Sequence, residues 1–416
     1  MNIAILGAGI VGVATAYELA FDGHQVTVFE RHASVAEGAS FANAGVLAPG
    51  YVTPWAAPGM PAKVIGHLLA RYAPVRVTRP LAMADLGWMR RWLRACDAGH
   101  YAAHRAQLQR LAFYSRQRLH EVAARMQYDF ERSQGYLVLL RGEKEQRIVQ
   151  PGLAVLREAG VVFHEVSGEQ ARAIEPALKP DTPLLGAIHL PQDEVGNCRQ
   201  FAVILRDAAQ TLGAQFRFDT TVHAPGAAAP TTLQWDGGSQ RFDAVVLCAG
   251  VQSGAWLAPL GLHVPLRPVY GYSVSAHMPE PVIGPRSGVM DERYKVAISR
   301  LGQRVRVAGS AEIGGRPDAI NARAMQTLYK VLDDWFPGAA RLSRGVQVWK
   351  GARPMLPDGP PVLGASGVPG VWLNLGHGSS GWALACGSAR VLADQIAGRE
   401  PAIDAEGYGI ERYRAR

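Results

Sequence analysis

The chain opens on four consecutive apolar residues, Ile3, Ala4, Ile5 and Leu6, followed at once by Gly7-Ala8-Gly9-Ile10-Val11-Gly12 and a helix-like stretch from Val13 to Phe21. An unbroken apolar run predicts a strand buried on both faces, because a half-exposed strand would alternate. Gln25 to Phe29 predicts a second such strand, and Gln215 to Val222 and Phe242 to Gly250 predict further members of the same parallel sheet. These segments lie on both sides of a long middle region, so the domain they build is discontinuous. In that middle region Leu86, Met89, Trp92, Leu93 and Cys96 mark one apolar helical face, and Leu108, Leu111, Leu119, Val122 and Met126 mark another. From about Gly135 to Gly196 and Gly261 to Arg306 the pattern alternates, as in Tyr136 to Leu140 and Arg304 to Val307, which predicts a mixed sheet. The expected division is 1–85, 197–260 and 341–416 for the first domain and 86–196 with 261–340 for the second.

The glycines after the first strand each have a task. Gly7 makes the tight turn, Gly9 lets backbone approach a pyrophosphate, and Gly12 permits close packing of helix on strand, while Ile10 and Val11 present N–H groups at the helix N-terminus. The second strand ends in Glu30, followed by Arg31; an acidic side chain there accepts hydrogen bonds from ribose hydroxyls. The constellation predicts a Rossmann-like dinucleotide site, with Ala249 and Gly250 ending a neighbouring strand. NAD and FAD use the same strand, loop and helix, so these residues leave the choice open.

Composition narrows the remaining classes. With 416 residues, 48% hydrophobic and 19% charged, the chain supports two packed domains rather than disorder. A formal net charge of +8 without a basic run argues against nucleic acid and leaves anionic substrates and lipid surfaces open. Cys96, Cys198, Cys248 and Cys386 lie far apart with no metal-ligand spacing, so buried thiols in a reducing, cytoplasmic setting are expected and no metal. The N-terminal apolar stretch lacks a basic leader, and no run reaches the length of a membrane span.

Several ordered segments carry a more specific signal: Ser40-Phe41-Ala42-Asn43-Ala44-Gly45, Pro49-Gly50-Tyr51, Pro54 to Gly59, Gly271-Tyr272-Ser273, Asp291 to Lys295, Gly351-Ala352-Arg353-Pro354, Pro357-Asp358-Gly359, Gly376-His377-Gly378 and Gly381-Trp382. With them the sequence resembles the D-amino acid dehydrogenase small-subunit family, in the broader group of D-amino acid oxidase, glycine oxidase and sarcosine oxidase. The resemblance implies an α/β protein, a discontinuous Rossmann-like FAD-binding domain with an inserted α+β substrate domain built on a mixed β-sheet. It also implies noncovalent FAD and oxidative deamination of D-amino acids to 2-oxo acids and ammonia, with electrons leaving to a membrane quinone or an intermediary carrier. By the same carry-over Ser40, Asn43, Ala44 and Gly45 border the flavin, Gly376, His377, Gly378 and Gly381 cross its pyrimidine end, and Val222 holds the adenine side.

For an amino acid substrate, the planar fork of a guanidinium is the natural carboxylate anchor, and Arg353 is the candidate. Tyr272 and Tyr294 are candidates to close the pocket and bond the carboxylate or amine, the alternative being ordinary sheet tyrosines. Tyr51 and Trp55, in a Pro- and Gly-rich loop, are substrate contacts or packing anchors. His377 is expected to act through its backbone, with proton transfer as the alternative. Met60, Val64, Ile65, Leu68, Leu69 and Tyr72 recur at helical spacing near Lys63, Arg71, Arg76 and Arg79, which suits either a buried helix or peripheral contact with the inner face of the cell membrane. The competing readings are an enzyme acting on D-proline, D-hydroxyproline, sarcosine or glycine, and a noncatalytic flavin-binding subunit.

Overall fold

The computed structural model describes residues 1–67, 72–79 and 85–414. Asn2–Leu6 lies between Gln25–Phe29 and Ala244–Leu247 and runs parallel to both, which buries Ile3, Ala4 and Ile5 completely. Gln215–Arg217 and Val371–Leu375 extend the parallel sheet on either side, and Val362–Ala365 closes one edge antiparallel, giving six strands. Only part of the expected Gln215 to Val222 strand joins it. The backbone turns at Asp219, with φ +50°, and Val222–His223 pairs instead with Thr232–Trp235 in a small three-stranded sheet.

The helix Ile10–Phe21 returns across this sheet and buries Val13, Ala16 and Leu19. Each large apolar side chain so buried contributes about 1.5–3 kcal/mol. Against it pack Gly381–Ile396 and the long helix Ala98–Met126, whose Leu108, Leu111, Leu119 and Val122 share one core with Val13 and Leu384. Buried Glu18 ties the three helices together, accepting from Arg118 at 2.7 and 2.8 Å and from Arg390 at 2.9 Å. Such a pair adds little net stability but penalises any slippage of the helices that would strand one charge.

The second sheet has ten strands. Its main path runs Gln347–Met355, Arg267–His277, Arg304–Ile313, Val296–Leu301, Gly288–Asp291, Ser133–Leu140, Gly186–Val195 and Val46–Leu47. One face packs on helix Ala322–Trp335 through Val274, Ile298, Val305 and Val307 against Leu328, Val331 and Trp335. The opposite face presents Gly271, Ser273, Ser275, Ser299 and Arg306 to the segment that follows Ser40.

Three expectations need correction. The boundary expected at residue 86 cuts through a shared core, since Ala98–Met126 packs on the nucleotide-binding helices; likewise Gln347–Met355 is an edge of the larger sheet, not part of the first domain. Sequence spacing shows that a helix has an apolar face but not which core receives it. In Leu86–Ala95 the buried residues are Trp92 and Ala95, whereas Leu86 and Leu93 are about half exposed, at 53% and 49%. In the helix Met60–His67, Met60 and Val64 turn inward onto the cluster of Ala56, Trp92 and Ala95, and Arg76 is itself buried, donating toward Arg323 O and Thr327 Oγ1. Leu68, Leu69 and Arg71 lie outside the described residues. Among those described, no helix is long and apolar enough to cross a membrane.

Candidate active site

The glycine turn has the shape the sequence reading demanded. Gly7 has φ +101°, and a Cβ there would meet Cys248 O at 2.8 Å; a Cβ on Gly12 would lie 1.9 Å from Gly7 O. The turn therefore rests directly on the end of strand Ala244–Leu247, beside Ala249 and Gly250. Glu30 stands at its rim, accepting from Ala8 N at 2.7 Å and His32 N at 3.0 Å, with lone pairs to spare for ribose hydroxyls. Arg31 is exposed and donates to the His32 ring. Val222 packs with Phe29 and Trp235 just beyond Glu30, whose carbonyl accepts from Thr220 N.

The first helix has no acidic residue in its first turn and no side-chain cap. Ser40 Oγ accepts from Ile10 N at 3.0 Å, while Val11 and Gly12 keep their amides without a protein acceptor among the described residues. Free amides at a helix N-terminus, pointing out of a turn that tolerates no Cβ, fit a pyrophosphate. Asn43 and Ala44 likewise keep unpartnered N–H groups among the described residues, because all four carbonyls from Ala42 to Gly45 are turned toward the larger sheet or Gly196. The residues present thus fit a dinucleotide with further hydrogen-bond acceptors on its ring end.

Arg353 sits on the same sheet face as Gly271, where a Cβ would strike its guanidinium at 2.3 Å. Its NH1 donates to Ser310 O at 2.9 Å, Ser310 itself adopting φ +59°. Among the described residues no carboxylate pairs with it, and burial pushes its pKa down to about 10, which still leaves it charged at neutral pH. It lies deep within the molecule yet keeps some accessible surface. Met355, two residues along the same face, borders Gly378. Arg353 and the segment Gly376-His377-Gly378 therefore converge.

In that segment Gly376 and Gly378 have φ +79° and +58°, a backbone that L side chains resist, and Gly381 starts a helix with no acidic first turn. The His377 side chain points inward, 4% exposed, with Nε2 3.0 Å from Ser388 Oγ. Burial pushes it down to about 3, so the ring is neutral at neutral pH. The neutral ring contributes stability that is complete above the ordinary value of 6.5 and drains as pH falls toward 3. Between pH 6.5 and 5 that amounts to about 2 kcal/mol. Urea midpoints of the parent should therefore drop more over this window than those of His377→Asn; parallel curves would show that the imidazole does not resist protonation.

The two tyrosines are placed elsewhere. Strand alternation turns Tyr272 to the reverse face, where it is paired across from Lys350 and its hydroxyl donates to Glu312, a carboxylate also held by Lys350 and Asn321. It cannot share a substrate carboxylate with Arg353. Tyr294 occupies the turn between Gly288–Asp291 and Val296–Leu301, with Arg141 and Lys330 over its ring at 5.1 and 5.7 Å. Trp55 packs among Trp88 and Trp92 and is a packing anchor, while Tyr51 lies edge-on to Tyr136. The residues missed were Ser273, Ser275, Ser299 and Arg306. Their signal was present in the alternation Gly271-Tyr272-Ser273-Val274-Ser275, a small polar face opposite a large apolar one.

Comparison with known proteins agrees with this geometry. A family model described as FAD dependent oxidoreductase matches residues 2–395. D-amino acid dehydrogenase of Cereibacter sphaeroides is 42% identical over 100% of this chain and 96% of its own, and that of Bradyrhizobium diazoefficiens is 40% identical over the whole of both. Among solved structures, glycine oxidase from Geobacillus kaustophilus superposes with a TM-score of 0.76 at 23% identity, covering 100% and 99% of the two chains. L-proline dehydrogenase from P. horikoshii gives 0.73 at 18%, covering 100% and 99%; at these identities the two structures speak to the fold alone. The glycine turn and the Glu30 rim fit a dinucleotide, the family match over nearly the whole chain supports FAD where the motif left the choice open, and the chain belongs to the family of FAD-dependent oxidoreductases.

Proposed function

We propose that the protein oxidises D-amino acids at the α-carbon with noncovalently bound FAD, giving 2-oxo acids and ammonia, and passes the electrons to an acceptor other than dioxygen, such as a membrane quinone. The observation that carries this reading is Arg353, a deep guanidinium that pairs with no carboxylate among the described residues. Its fork receives the substrate carboxylate through two charge-assisted hydrogen bonds, and Ser310 O holds the guanidinium while it does so. That grip fixes the α-carbon, so positioning supplies much of the catalysis. When bound, FAD accepts the α-hydrogen as hydride at its N5. No base is required of the protein: a cavity of low polarity favours the neutral amine, whose lone pair forms the imine as hydride leaves, and water then hydrolyses the imine. The neutral, inward-facing His377 agrees with this. The identity of the full-length relatives supports the D-amino acid class.

The purified protein should reduce an artificial dye with a panel of D-amino acids, consume little oxygen, and leave L-alanine untouched. Oxygen uptake equal to dye reduction would make it an oxidase, and turnover confined to D-proline, sarcosine or glycine would move the substrate to cyclic or N-substituted amino acids. Failure of every amino acid to bleach the bound flavin would end the proposal.

A further inference from the structure

Four successive carbonyl oxygens in the segment after Ser40 are held by groups outside it. Ala42 O accepts from Ser273 Oγ at 2.7 Å, Asn43 O from Arg306 NH1 at 3.0 Å, Ala44 O from Ser299 Oγ at 2.7 Å and Gly45 O from Gly196 N at 2.8 Å. Ser275, Arg306 and Ser299 stand directly across from one another on three neighbouring strands, and Ser273 lies on the same face two residues from Ser275, so one face of the sheet supplies three of the four contacts. Arg306 Nε donates to Ser275 Oγ at 2.7 Å, which fixes the guanidinium. The side chain is 6% exposed, and among the described residues it forms no ion pair; carbonyl and hydroxyl oxygens are its partners. A buried charge left without a counter-ion is expensive unless something answers it. Carbonyl dipoles answer part of it, and a ligand that gains negative charge beside the loop answers more.

We propose that Arg306 is a positioning residue that locks the Ala42–Gly45 loop onto the sheet and lends the flavin along that loop a buried positive charge favouring its reduced, anionic form. The inference rests on the placement of FAD beside this loop. In solution the two electrons come from the titrant and one proton from water, and the reduced form carries one more negative charge than the oxidised form. Arg306 favours that state without itself donating a proton.

The holoenzyme and its variants are reduced with dithionite against a reference dye to read the flavin potential, and the release of FAD is followed by its fluorescence. In Arg306→Met the reduced flavin should be held at least tenfold less favourably relative to the oxidised one, a potential drop of about 30 mV for a two-electron couple. Arg306→Lys, which keeps the charge, should recover most of it. The Ser273→Ala/Ser299→Ala double variant should release FAD several-fold faster with the potential near that of the parent. An unchanged potential in folded, FAD-loaded Arg306→Met overturns the electrostatic claim. If Arg306→Met does not fold, an unchanged potential in Arg306→Ala or Arg306→Gln does the same, and FAD release at the parent rate in the double serine variant overturns the lock. A colourless parent would instead defeat the cofactor assignment, a result read before any variant is made.

Discussion

Replacing Arg353 by methionine should reduce kcat/KM for a D-amino acid by roughly 30- to 5,000-fold, which is about 2–5 kcal/mol, the range for removing one partner of a buried, hydrogen-bonded charge pair. The loss follows from the proposed reaction: the guanidinium is deep, pairs with no carboxylate among the described residues and is aligned by Ser310 O, and on that proposal the substrate brings the counter-ion. Methionine keeps much of the length and apolar stem but none of the fork. FAD should remain bound, because Arg353 touches none of the elements that form the glycine turn. Lysine should recover only part of the rate, since a point charge cannot make the planar two-bond grip. The measurement is steady-state dye reduction across substrate concentration with the flavin spectrum recorded in parallel. Kinetics equal to the parent would remove Arg353 from the site.

Gly12→Ala should abolish stable FAD binding or weaken it by at least about tenfold, equivalent to about 1.4 kcal/mol. The added Cβ would lie 1.9 Å from Gly7 O, a backbone atom with nowhere to go because Gly7 itself lies against Cys248 O. Either the helix moves off the sheet or the turn opens, and both displace the free amides to which the pyrophosphate is assigned. Overpacking of this kind also costs about 1–3 kcal/mol of stability, so the thermal midpoint should fall. Gly23, with open space around a hypothetical Cβ but φ +83°, is the contrasting control: alanine there should strain the backbone locally while FAD stays bound. Parent-like FAD affinity in Gly12→Ala would mean that the phosphates are held elsewhere.

The central sheet was legible residue by residue. Ile3 to Leu6, Gln25 to Phe29 and Ala244 to Leu247 are unbroken apolar runs, and a strand buried on both faces leaves that mark in any context. Gly7, Gly12 and Glu30 were readable because each is tied to its neighbours by short-range sterics. Arg353 was picked out through resemblance, and the structure places it deep on the sheet face beside Gly271 with Ser310 O as its partner. Tyr272 was misplaced, and the cause is specific: a two-residue period says that successive side chains separate, but not which face looks toward the cofactor. Leu86 and Leu93 were misplaced for a related reason, since an apolar stripe only becomes core where another element covers it.

The amino-acid sequence alone determined the local units: the parallel strands, the tight glycine turn after the first of them and the discontinuity of the sheet they build. Tertiary structure alone decided that the helix Ala98–Met126 belongs to the core beside that sheet, that Tyr272 faces away from Arg353, and that Ser273, Arg306 and Ser299 seize consecutive carbonyls more than 200 residues away in the chain. Short-range periodicity and backbone sterics are written in neighbouring residues, whereas the choice between two faces of a strand is made by whatever segment docks on it.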